Sequence, residues 1–172
     1  MPEFILDTSG EVDHVMVDGC VETGLAFRWR DLDSFTSGYI EALFFTDNAP
    51  GVTTEEWQAP DFEPSEGSIP EDVGFSDLAP ETLARIIKDC AEFQESEAWL
   101  KMREGLGDDN DAPETPDDEQ AGRDFWYTRN GHGCGYWDGD WPEPYATELT
   151  AAAKQFRSVD SYLGDDGLVY LA

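Results

Sequence analysis

The chain has 172 residues, 40% apolar and 13% aromatic, enough to bury one domain's core and too rich for a wholly disordered polymer. Asp and Glu number 39 against 10 Lys and Arg, a net charge of −29; such a chain repels nucleic acid, nucleotides and anionic lipid, and a basic partner is its complement. It has no apolar run of the roughly 18 residues that a membrane helix needs. The acidic N-terminus lacks the cationic region of a secretory signal. Three widely spaced cysteines, Cys20, Cys90 and Cys134, suit a reducing cytoplasm better than a disulfide framework.

In chain order, apolar and polar residues alternate imperfectly around Val12, His14 and Met16, then around Leu25, Phe27 and Trp29. This predicts two strands joined near Gly19 or Gly24. Phe35, Tyr39, Leu43 and Ile40, Phe44 recur at helical spacing behind Ser34, predicting a helix over 35–46 with Ser34 as its cap. Residues 47–76 hold four prolines and three glycines among acids and read as an acidic loop or mobile arm, pinned by Trp57, Phe62 and Phe75. Pro80 then opens a helix over 80–104, with Asp77 or Ala79 as cap and Gly105 and Gly107 as stop. Residues 105–121 form a second acidic, solvated loop.

Residues Asp124–Asp138 belong to the stretch "DFWYTRNGHGCGYWDGDW". "DFWYTR" reads as a strand, "NGHG" as a turn and "CGYWD" as the return strand, a β-hairpin over 124–138. A helix over 145–157 follows, with Leu149, Ala152, Ala153 and Phe156 inward. A C-terminal hairpin turns at "GDDG". The expected fold class is therefore α+β, one domain over 1–172. A small antiparallel sheet, built from the N-terminal strands, the 124–138 hairpin and the C-terminal hairpin, packs with about three helices.

The aromatic, Gly-rich stretch invites chemical readings. His132, Cys134, Asp138 and Asp140 lie close in sequence, but a structural zinc site wants four Cys or His ligands, so no metal is expected. A thiolate at Cys134 activated by His132 lacks a third, orienting group. The glycines do not lead from a strand into a helix as a phosphate cradle does. The preferred reading is scaffold. Phe125, Tyr127, Tyr136 and Trp137 pack across the hairpin, Asn130-Gly131 turns the chain, and Arg129 ties down a carboxylate or a helix C-terminus, with Trp126 and Trp141 in the same motif. His132, Asp138 and the exposed end of the motif remain as an anchor for a partner. No catalytic residue and no cofactor are expected.

Four stretches, "SGYIEALFFTDN", "DLAPETLARIIKDCAEFQ", "AGRDFWYTRNGHGCGYWDGDW" and "SVDSYLGDDGLVY", resemble a family of small acidic proteins carried by bacteriophages and related mobile elements. Its signature is a "DFWxTRNGHGxGFWD"-like core. The likeness runs from about Phe35 to the C-terminus, and Asp124–Asp138 is its most specific part. It implies an accessory protein in a host cell cytoplasm and carries no reaction with it.

The distribution of charge is the sharper clue. Between Arg30 and Arg85 there are 13 acids and no base, and between Arg103 and Arg123 eight acids and no base. Most of these carboxylates cannot be paired and must stay in water. One reading is nucleic-acid mimicry: a non-enzymatic inhibitor or modulator occupies the basic groove of a host nuclease, restriction, CRISPR or other nucleic-acid-binding protein. A second is that acidity reports salt adaptation or genome composition. A third is a small enzyme or ligand binder using the aromatic hairpin. Under the first, the binding surface comprises Asp89, Glu92, Glu95 and Glu97 at helical spacings of three and four, joined by Asp108, Asp109, Asp111, Asp117, Asp118 and Glu119. Neither direct nucleic-acid binding nor membrane binding is expected, and aromatics such as Trp57 and Trp141, if exposed, suit a homodimer.

Overall fold

The structure is a computed structural model that describes residues 5–16, 25–64, 66–107 and 116–172. The α+β expectation holds: among the described residues, six α-helices accompany three separate two-stranded sheets. The chain divides into two compact units. Unit 1 comprises Met1–Leu32, Leu43–Arg85 and Asp160–Ala172, and unit 2 comprises Asp33–Ala42 and Ile86–Val159.

In unit 1, β1 (Glu11–Val15) pairs antiparallel with β2 (Leu25–Arg28). The imperfect alternation has a cause. The register slips between Val12 and Val15, and His14 takes a positive φ of 61°. This bulge lets Val12 and Val15, three residues apart, both turn inward. The expected turn between the strands lies outside the described residues.

Residues 47–76 are not one long loop. Asn48–Ala49 (β3) pairs in parallel with Ile69–Pro70 (β4), and α2 (Thr54–Trp57) sits between them. Thr53 caps α2 by accepting from the Glu56 N–H at 3.3 Å. Asp72 accepts from the Thr54 N–H and hydroxyl, both at 2.8 Å, and Glu71 accepts from the Gly51 N–H. Glu56, Glu71 and Asp72, expected only to be solvated, thus hold the segment's turns. Ile69, Val73, Phe75 and Leu78 supply buried side chains, and Trp57 packs on Phe62 with ring centroids 5.4 Å apart. The C-terminal hairpin forms as expected: β5 (Ser161–Leu163) pairs with β6 (Val169–Leu171), and Gly167 takes a φ of 80° in the turn.

Unit 2 is helical around an aromatic core. The first helix, α1 (Ser34–Asp47), belongs to this unit as far as Ala42 and begins where expected. Its cap is Asp33 rather than Ser34, because Asp33 Oδ1 accepts from the Thr36 N–H at 2.7 Å. The helix expected over 80–104 is two, α3 (Pro80–Gln94), which belongs to this unit from Ile86 on, and α4 (Glu97–Leu106). Ser96 makes the break: its hydroxyl donates to the Phe93 carbonyl at 2.6 Å and accepts from the Trp99 N–H at 3.3 Å. A straight continuation of the stripe through Ile86, Cys90 and Phe93 would turn Glu97 and Glu104 inward. The break instead buries Trp99 and Met102 and leaves both glutamates exposed.

The largest correction concerns the expected hairpin. Residues Asp118–Arg129 form a helix, α5, and residues 130–144 form an irregular loop with no strand. Aromatics and threonine favour strands, but the helix signals are present too. Asp117 caps through the Gln120 N–H at 2.8 Å, Asp118 and Glu119 sit in the first turn, and Asn130 closes the C-terminus ahead of Gly131 at φ 70°. Helical periodicity puts Ala121, Phe125 and Thr128 on one buried face. The last helix, α6 (Tyr145–Lys154), buries Ala146, Leu149 and Ala153 and ends three residues before the expected boundary. Phe93 lies at the centre of the core, stacked on Phe125 at 4.4 Å and on Tyr136 at 5.6 Å, with Phe35, Trp99 and Phe156 around it.

Candidate functional site

Two surfaces come from the sequence: the carboxylates, and the aromatic stretch around Asp124–Asp138. The carboxylates do not act alike. Asp89 is largely covered and pairs with Arg129 Nη1 at 2.9 Å, so it belongs to the interior of unit 2. Asp118 pairs with Arg103 at 3.3 Å, and Glu119 pairs with Arg123, which also reaches Glu41 at 3.2 Å. Burial and the neighbouring Glu41 carboxylate push the Glu119 pKa up. Glu92 is exposed, with Lys88 one turn away at 4.0 Å. Glu95, Glu97 and Asp117 are exposed. Asp108, Asp109 and Asp111 lie outside the described residues. The expected row from Asp89 to Glu97 is therefore not one surface: its first member is a structural ion-pair partner, and the Ser96 break separates Glu97 from Glu92.

Arg129 meets both alternatives expected of it. It donates to Asp89, and also to the carbonyls of Phe156 and Arg157 just past α6, both at 2.9 Å. Its Nη1 donates to the Tyr39 hydroxyl at 3.0 Å, and its guanidinium lies over the Phe125 and Phe156 rings. Asn130 ties the same corner. Its Nδ2 donates to the Trp126 carbonyl at 3.0 Å and its Oδ1 accepts from the Val159 N–H at 2.8 Å.

The loop after α5 is built on that corner. His132 sits half-buried, its ring 6.4 Å from Trp126 and 6.0 Å from Tyr127. Trp126 is buried edge-on to Tyr39, and burial raises the pKa of the half-buried Tyr127. Tyr136 is fully buried; its hydroxyl donates to the Ala121 carbonyl at 2.6 Å and its N–H to Thr128 Oγ1 at 3.1 Å. Asp138 Oδ2 accepts from the Gly135 N–H at 3.2 Å. Trp137, Asp138 and Asp140 are exposed. Trp141, expected at the surface, is buried at 4% exposure, and its Nε1 donates to Asp124 Oδ2 at 2.7 Å.

Asp124 is the residue that strand reasoning passed over. Its side chain is buried on the inward face of α5, held by Trp141 and by Gln120 Nε2 at 3.1 Å. Burial first, then the Asp138 and Asp140 carboxylates, push its pKa up to about 6. A signal existed: read with a period of 3.6, Asp124 falls beside Ala121, Phe125 and Thr128 on the inward face. For Cys134, burial and then Asp138 and Asp124 raise the thiol pKa, opposite to what an activated thiolate needs. Among the described residues, no three His, Cys, Asp or Glu side chains are placed to share a metal ion.

A further concavity of about 390 Å³ lies between α4 and α6, with Ser96, Glu97, Lys101 and Glu148 among its lining residues. Lys101 and Glu148 pair across it at 2.7 Å. Among the described residues, no helix is long and apolar enough to cross a membrane. No family model, curated protein or solved structure matches this chain.

Proposed function

We propose that this protein is a non-enzymatic, phage-type inhibitor or modulator that binds a basic nucleic-acid-binding protein of a host cell and occupies the groove meant for nucleic acid. One observation carries the reading: the base-free acidic segment of unit 1 is folded, with its carboxylates set on a built surface. Glu55, Glu56, Asp61, Glu63, Glu66, Glu71 and Asp72 are exposed along a segment held by the β3–β4 pairing and the Thr53 cap. Unit 1 as a whole has twenty acids and three bases. Duplex DNA presents about one negative charge per 1.7 Å of axis. Fixed carboxylates compete for the same basic groove without the entropic cost of ordering a loose arm. Association is fast and electrostatically steered, and no turnover is required.

The test is capture from bacterial lysate on the tagged full chain, with parallel elution by duplex DNA at low salt and by salt alone. Retained nucleic-acid-binding proteins that duplex DNA releases support the reading. A retained set indifferent to duplex DNA overturns it.

A further inference from the structure

We infer that Trp137, with the carboxylates that neighbour it in unit 2, is an anchor for arginine side chains of the partner; this rests on the proposed function and adds a specific contact to it. Trp137 is 52% exposed, whereas the other five tryptophans are buried or half-buried. It stands between two buried aromatics that fasten the loop to α5: Tyr136 through the Ala121 carbonyl and Thr128, and Trp141 through Asp124. The chain is fastened on both sides of Trp137, and the ring itself is exposed.

The local backbone serves that placement. A Cβ at Gly135 would lie 3.2 Å from Trp137 Nε1 and collide with Thr128 Oγ1, so the indole edge settles over a residue without a side chain. The Gly135 N–H also holds the Asp138 carboxylate next in sequence to the ring. Asp140 and Glu143 follow, both exposed. An exposed indole with exposed carboxylates close behind it in the chain, at Asp138, Asp140 and Glu143, suits one chemical group above others. A guanidinium stacks flat on the ring while its edge forks to a carboxylate, whereas an ammonium is a compact, strongly hydrated point charge. Basic grooves that bind nucleic acid are rich in such guanidinium groups.

The full chain is titrated calorimetrically with a hexa-arginine and a hexa-lysine peptide at one low salt concentration. The arginine peptide should bind about threefold to tenfold more tightly. Trp137→Ala should remove that difference and Trp137→Phe should keep part of it, with the fold checked by circular dichroism. Asp140→Asn should weaken both peptides. If Trp137→Ala leaves the arginine preference intact while both peptides still bind in a salt-dependent way, the anchor is wrong and the acidic-surface reading stands. If neither peptide binds the unaltered chain, the acidic-surface reading falls and the anchor falls with it.

Discussion

Arg129 is a base spent on structure in a chain that has few. Its side chain is 1% exposed, and it meets Asp89, Tyr39 and two carbonyls. Removing it strands Asp89 and leaves acceptors unpaired, so Arg129→Ala should cost roughly 3–5 kcal/mol. That cost would be read as a lower urea midpoint at unchanged slope. A loss within about 0.5 kcal/mol would mean that water takes over all four contacts. The same geometry withdraws Asp89 from the expected binding row, and charge reversal there would test folding rather than recognition. Asp124 adds a pH dependence of its own. Its folded pKa, about 6, lies above the ordinary carboxylate value near 4. Between those values the folded chain holds a proton that the unfolded chain has released, so stability falls as pH rises through the window. Asp124→Asn should remove that fall and leave the variant more stable than the parent at pH 7, on the order of 2 kcal/mol. Denaturant melts of both chains from pH 4 to 7 measure the difference, and identical pH slopes would refute it.

At the scale of elements, the crossing of α1 and α5 shows why a stretch rich in strand formers became a helix. A Cβ on Gly38 would strike the Glu119 carbonyl, and one on Gly122 would strike the Phe35 carbonyl. The two backbones approach where neither helix has a side chain. Helix propensity alone makes Gly122→Ala stabilising by up to about 1 kcal/mol. The crossing reverses the sign, and the expected effect is a loss of about 1–3 kcal/mol from overpacking. A thermal melt decides between the two, and a higher midpoint would show that the helices are not in contact there. Ser96 is legible in the sequence once α4 is read with its own phase, since a serine followed by Glu97 is an N-terminal signal. It was hidden because the stripe through Cys90 and Phe93 can be extended to Leu100, a residue left 56% exposed by the break.

At the scale of the molecule, charge opposes compactness. With −29 overall, the melting temperature should rise as sodium chloride is added and screens the carboxylates. Replacing Glu55, Glu56, Glu63 and Glu66 by glutamine should flatten that dependence and weaken capture of basic partners. A melting temperature that ignores salt would mean that the carboxylates already stand too far apart to repel.

The amino-acid sequence by itself determined the α+β class, the extent of α1, the start of α3, the C-terminal hairpin and the predominance of acid. These follow from local periodicity, turn chemistry and composition, which act over a few residues. Only the tertiary structure decided that Asp118–Arg129 is a helix, that Asp124 and Trp141 are buried as a pair, and that Trp137 is left outside. Those outcomes depend on which backbones approach at Gly38 and Gly122 and on which polar groups find partners across the aromatic core. Side chains far apart in the chain make both choices, and no local pattern records them.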